Sequence, residues 1–267
     1  DAIADSSNRL VGGYSTMVAR LVDDSFHLVA FTSTTPEGDA ALRSRFPLAV
    51  SAFPMGEKVR GFLRENGAVV GVETSRGSIR ADRVGIAAAG HSSVLAKMAG
   101  FRLPVTSYAL QAMVSEPLKP LLDTVVLSSA TGAYVSQSDK GEMVIGAGLD
   151  LWPSYAQRGS VAITQAILAA TLAIFPSFSR LQLMRQWAGI VDVVHDSSPI
   201  IGATPVPNLY INCGWGTGGF KGIPVGGWTL AHVLATGRNH ELTEAFQLER
   251  FHTGRLVDEA AGSGIAH

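Results

Sequence analysis

The chain holds a single cysteine, Cys213, in 267 residues. That excludes an internal disulfide and a cysteine-rich zinc site. It fits a reducing compartment, so a cytoplasmic location is expected. Charge is also scarce. Asp, Glu, Lys and Arg make up 16% of the chain, against about 25% in an average soluble domain. The net charge is −1, with no basic stripe to neutralise phosphates, which argues against a nucleic-acid partner. The seven histidines show no HExxH or other metal-ligand spacing, so no metal is expected. Long apolar runs are lacking too. The longest extends only from Val161 to Phe175 and contains Thr164 and Gln165, short of the roughly 20 residues that span a bilayer. No basic-then-apolar leader opens the chain, and no membrane association is expected.

What remains is apolar and rich in glycine: 46% hydrophobic residues and 29 glycines. This supplies a sizeable core and argues against extensive disorder. Residues 1–56 carry no motif; Phe26–Phe31 reads as a strand and Thr34–Gly38 as a turn. Further on, Asn66-Gly67 between Val59–Leu63 and Ala68–Glu73 is a hairpin signature. Arg83–Ala89 reads as a buried strand, Gly90 as its turn, and Val94–Met98 as a short helix capped by Ser92 or Ser93. Several β-rich runs then follow (Leu110–Ser115, Thr124–Ser128, Ala133–Ser136, Glu142–Ile145 and Trp187–Val194), punctuated as in an antiparallel sheet. One helix interrupts them, with Ser160 as cap, Ile163, Ile167, Leu168 and Phe175 at helical spacing, and Pro176 as stop. The last part is a strand, Leu209–Cys213, a glycine loop, Gly214–Gly222, and a helix, Gly227–Ala235, ended by Gly237.

Two motifs invite chemistry. Gly214-x-Gly216-x-x-Gly219 matches the dinucleotide fingerprint formally and follows a strand, but no second β-run with a terminal acid follows it. Its glycines instead let backbone approach a ligand edge, with Lys221 beside it; a tight structural turn is the plain alternative. Gly90-His91-Ser92-Ser93 resembles a nucleophile elbow, but Val94 stands where glycine belongs. Its triad partners would be His195 and Asp196, neighbours on a strand that face opposite ways. Asp196–Pro199 reads as a plain turn. Trp152, Trp187 and Trp228 read as core, Trp215 as part of the glycine loop, and Cys213 as the inert end of a buried strand.

The segments VGIAAAGHSSVLAKMAG (84–100), YVSQSDKGEMVIGAG (134–148), FPSFSR (175–180), QWAGIVDVVHD (186–196), NCGWGTGGFK (212–221) and the ending TGRLVDEAAGSGIAH resemble one family. It is the β subunit of heterotetrameric sarcosine oxidase, within the D-amino-acid-oxidase type of FAD-dependent oxidoreductase. The resemblance runs from about Glu57 to His267. GWGTGGFK and YVSQSDKGE carry its specificity, whereas the AAG turn is shared by many flavoproteins.

The resemblance implies an α/β fold plus an antiparallel sheet: a Rossmann-like FAD-binding domain with an inserted β substrate domain. The flavin-binding pieces would be residues 57–103 and 201–267, the substrate sheet residues 104–200, and residues 1–56 unmatched. Val59 and Gly90 would lie near the adenosine and pyrophosphate. Gly216, Thr217, Gly218, Gly219 and Lys221 would line the isoalloxazine, with Lys221 near the substrate carboxylate as the catalytic residue. The implied reaction converts sarcosine, O2 and H2O to glycine, formaldehyde and H2O2. Implied cofactors are FAD and a second, histidine-linked FMN; implied partners are sarcosine and the α, γ and δ subunits. Related amine enzymes of the dimethylglycine or glycine oxidase type, and a non-catalytic remnant, stand as alternatives. The family opens with a strand and a GxGxxG that no residue before Glu57 supplies, and His27 does not match the FMN-linking histidine. A missing start to the FAD-binding domain, and inactivity of the chain by itself, are therefore expected.

Overall fold

The computed structural model describes residues 17–22, 25–31, 35–44, 46–49 and 58–257. The described residues fall into two compact units: those up to residue 60 together with 74–77, and residues 61–73 with 78–257. The C-terminal end of the family-like ending, and Thr34 of the expected turn, lie outside the described residues.

In the first unit, β1 (Met17–Val22) pairs antiparallel with β2 (Ser25–Phe31), and β2 with β3 (Leu48–Ala49). The expected strand at Phe26 is present. The expected turn at Pro36 is not: Pro36–Ser44 is a helix, α1. Proline suits a first helical turn, and Glu37 and Asp39 near the N-terminus with Arg43 near the C-terminus complement the helix dipole.

The second unit contains most of a three-stranded sheet, β4 (Val59–Glu65), β5 (Ala68–Thr74) and β6 (Gly77–Arg80). Asn66 and Gly67 both have positive φ, the geometry that the hairpin signature demands. Next come β7 (Val84–Ile86), a 3-10 turn at Ala89–His91 and α2 (Ser92–Met98). Neither Ser92 nor Ser93 caps α2, because the 3-10 turn feeds it directly and His91 is the residue before its start.

The main sheet is antiparallel, ordered β12–β8–β11–β10–β9. It is made of β8 (Val105–Pro117), β9 (Val126–Leu127), β10 (Tyr134–Gln137), β11 (Glu142–Pro153) and β12 (Leu183–Val194). Strand β8 alternates strictly, with Val105, Ser107, Ala109, Gln111, Met113 and Ser115 buried, the period-two pattern of a strand with one covered face. Helix α3 (Val161–Ile174) buries Ile163 and Ile167 in a core with Met113, Val135, Met143, Ile145 and Phe178.

A third sheet closes the unit. β13 (Ile200–Ala203) runs antiparallel to β14 (Leu209–Cys213), and β14 runs parallel to β7. This places the two strand–glycine turn–helix segments side by side over a core of Val69, Ile86, Ala96, Val194, Ile200, Leu209 and Ile211. The long helix α4 spans Gly219–Thr236, and Gly237, at φ 76°, ends it. It starts eight residues before the expected Gly227, with Pro224 inside it. Glycine's poor helix propensity is overridden here by packing, since Gly222 and Gly226 are where the helix meets Trp215. A short helix, α5 (Arg250–Thr253), lies near the end of the described residues. Trp152 and Trp228 are exposed, at 77% and 54%, and Trp187 partly so at 39%; these three are surface and cavity residues, not core.

Candidate functional site

A mostly apolar hollow of the second unit lies between the main sheet and α4, with a volume of about 610 Å³. That is within the range of roughly 300–1,000 Å³ of small-molecule and cofactor sites. Leu110, Gln111, Trp187, Gly189 and Asp192 form its sheet wall; Ala87 and Ala89 come from the β7 turn; Trp215, Gly216, Gly219, Ile223 and Gly227 come from the loop and helix. The lining is mostly apolar. A Cβ built on Gly189 or on Gly227 meets nothing within 4 Å, so at both positions the absent side chain leaves room for an occupant.

Trp215 divides this cavity from a second one of about 410 Å³, lined by Ser197, Gly218, Lys221, Thr229, Leu242 and Phe246 among others. Its indole N–H donates to Asn212 Oδ1 at 2.5 Å, and Asn212 Nδ2 donates to the carbonyl of Gly226 at 2.9 Å. The ring lies so close to α4 that a Cβ on Gly222 or Gly226 would come within 2.5 Å or 2.8 Å of it. The glycines of this helix are thus what lets Trp215 stand between the cavities.

The sequence-derived site residues separate into groups. Gly216 and Gly219 line the large cavity, whereas Gly218 and Lys221 line the smaller one. Thr217 is exposed and lines neither. Gly90 is buried beneath the large cavity's wall: a Cβ there would strike Ile190, and its carbonyl accepts from Ser107 Oγ at 2.5 Å. Val59 is the first residue of β4 and belongs to the other unit.

The structure opposes the serine-hydrolase reading. Ser92 is fully buried and its Oγ has no hydrogen-bond partner. Asp196 sits past the end of β12, with its carboxylate bound to Arg250 at 2.6 and 2.9 Å. Cys213 is buried and its thiol is pushed up to about 12, by burial above all and then by the nearby Asp192 charge. A buried thiol that keeps its proton fits the inert strand end expected from the sequence. Among the described residues no cluster of three or more His, Cys, Asp or Glu is placed to hold a metal, and no helix is long and apolar enough to cross a membrane.

Two wall residues escaped the sequence reading. Asp192 is 3% exposed. Its Oδ2 accepts the Gly214 N–H at 2.5 Å. Burial pushes its carboxyl up, opposed by the backbone N–H groups of Gly214, Gly216 and Trp215. Gln111 is fully buried; its Nε2 donates to Asp150 and to Ser160 Oγ, and its Oε1 accepts from Ser160 N–H at 2.8 Å and Gln186 Nε2 at 3.0 Å. Ser160 therefore serves Gln111 instead of capping α3 with its side chain. Both positions had a signal: each is a lone polar residue inside an apolar strand run, and such residues are buried only with their partners.

An α/β scaffold with an antiparallel sheet laid over a glycine-rich strand–turn–helix defines the flavoprotein oxidoreductase class. A model of the family "DAO: FAD dependent oxidoreductase" matches residues 53–233, more than half of the chain. The protein belongs to the FAD-dependent oxidoreductase family. It is 51% identical over 210 residues to the sarcosine oxidase subunit beta of Arthrobacter sp, covering 79% of this chain and 52% of that protein. It is 52% identical to that of Rhodobacter capsulatus, again over 79% of this chain and 50% of the relative. The chain thus spans about half the length of these curated relatives. Among solved structures, L-proline dehydrogenase from P. horikoshii superposes with a TM-score of 0.70 at 27% identity, over 81% of this chain and 61% of that one.

Proposed function

We propose that this chain supplies the flavin-facing and amine-binding parts of a sarcosine-oxidase-type β subunit. The reaction is oxidation of sarcosine, with O2 and water, to glycine, formaldehyde and H2O2. The observation that carries this reading is the large cavity: a mostly apolar space between a sheet and a glycine-rich helix, with room left at Gly189 and Gly227 for a flat ring. FAD, when bound, supplies the two-electron acceptor for the substrate's N-methyl C–H bond. The chain's own residues bind and orient: Trp215 and Trp187 offer flat apolar surface, Gly216 and Gly219 let backbone approach an edge of the ring, and the main sheet supplies the facing wall. Lys221 is assigned to attract the substrate carboxylate on the strength of the resemblance; it lines the smaller cavity, which meets the large one at Trp215. Residues 57–103 and 201–267 are assigned to flavin binding and 104–200 to the substrate side. The names of the relatives support assembly with further subunits; a second flavin, FMN, and a cytoplasmic setting complete the reading.

Titration of the chain with riboflavin and FAD, followed by tryptophan quenching, tests it. Saturable quenching is expected, without sarcosine turnover by the chain alone. Absence of quenching at millimolar flavin overturns the cavity reading, and turnover by the isolated chain overturns its dependence on further protein. In the assembled enzyme, Lys221→Ala is expected to raise KM for sarcosine at least tenfold; an unchanged KM removes Lys221 from the site.

A further inference from the structure

Among the described residues lining the large cavity, Asp192 is the one acidic or basic side chain apart from the thiol of Cys213. Cys213, the other titratable group there, keeps its proton. Asp192 stands near the end of β12, directly under the Gly214–Gly216 turn. Gly214 and Gly216 have φ of 77° and 54°. Left-handed residues in such a turn bring successive N–H groups to one side, making an anion-binding concavity. Here the protein's own carboxylate serves as that anion. The same turn carries Trp215, which separates the two cavities.

We propose that Asp192 is a positioning residue for the cavity occupant: its carboxylate fixes the Gly214–Gly216 turn, and its charge favours a neutral, oxidised isoalloxazine over the reduced anion. The second half rests on the flavin reading of the cavity. In a low-dielectric wall a charge acts on an occupant far more strongly than it would in water. No charged side chain contributes to the Asp192 shift, which comes from burial opposed by backbone N–H groups. Across the sheet Asp192 faces Ser107 on β8. In the adjoining 3-10 turn His91 lies against Tyr155, ring centroids 5.0 Å apart and planes tilted by 39°. On β14 the facing group is the protonated Cys213, and the nearby Arg250 is paired with Asp196.

Two readouts test the proposal. The first is the Gly214 amide proton in isotope-labelled chain, which needs neither variant nor ligand. It is expected to shift as Asp192 titrates, at a pH above the usual value of about 3.9. In Asp192→Asn, which keeps an acceptor but not the charge, the shift is expected to vanish. In Asp192→Ala the Gly214–Gly216 amides are expected to exchange at least tenfold faster. The second is riboflavin affinity in both redox states. Asp192→Asn is expected to favour the reduced form by about tenfold more than wild type, a rise in two-electron potential of about 30 mV. A Gly214 amide indifferent to pH in wild-type chain overturns the anchoring role. An unchanged affinity ratio overturns the electrostatic role. No flavin binding by the wild-type chain overturns the flavin reading and the electrostatic half with it, while the amide readout still decides the anchor.

Discussion

At the scale of single residues, the strongest constraint outside the cavity is the Arg250–Asp196 pair. Both side chains are buried, 3% and 2% exposed. Arg250 also donates to the carbonyls of Ser198 at 2.8 Å and Phe246 at 2.9 Å, and Asp196 accepts the N–H of Ser198 and of Val257. A charge enclosed so completely is tolerable only with its partner. Arg250→Met is expected to cost about 3–5 kcal/mol by denaturant unfolding, because it strands the carboxylate. Adding Asp196→Asn is expected to recover part of that cost; a double variant no better than the single one refutes the pairing. Burial would raise the Asp196 carboxyl, but the hydrogen bonds and charge of Arg250, with the Val257 and Ser198 amides, leave it lowered overall. A lowered folded value means that its contribution is complete above the ordinary aspartate range and is lost as pH falls through the folded value. Asp192 has the opposite sign. Its raised value makes ionisation costly in the fold, so stability declines as pH rises from the ordinary aspartate value through the folded one.

At the scale of elements, α4 shows how neighbouring glycines differ. Gly226 faces Trp215 and Asn212, and a Cβ there would lie 2.8 Å from the indole and 3.3 Å from Asn212 Nδ2. Gly227 faces open space. Gly226→Val is expected to lower stability by about 1–3 kcal/mol through overpacking and to change the Trp215 environment in fluorescence. Gly227→Ala is expected to raise stability by up to about 1 kcal/mol through helix propensity. Equal effects at the two sites would contradict the packing of Trp215 against this helix. The sequence pattern could not separate them, because glycine periodicity reads as a loop wherever the packing partner lies outside the helix. The Leu110–Ser115 run inside β8 and the Asn66-Gly67 turn were legible for the converse reason: their information is local. The start of α4 and the exposure of Trp152 and Trp228 were not legible, because each depends on what another element places beside it.

At the scale of the whole molecule, the second unit uses one cavity wall from the main sheet and one from the loop and helix after β14. Gly189→Phe is expected to preserve the far-UV spectrum and folding cooperativity, because its Cβ enters empty space, and to lower riboflavin affinity at least tenfold by filling that space. Affinity within twofold of wild type would place the ligand elsewhere. The amino-acid sequence by itself determined the class and family: scarce charge, surplus glycine, the strand–glycine turn–helix segments and the NCGWGTGGFK stretch are properties of the chain read in order. It also singled out the Gly216–Lys221 loop. Only the tertiary structure decided that this loop splits, with Gly216 and Gly219 on the large cavity and Gly218 and Lys221 on the small one. It alone brought Asp192, 22 residues earlier, beneath Gly214. The physical reason is that strand and turn signals reside in neighbouring residues, whereas the partner of a buried charge is set by how β12 packs against the turn after β14.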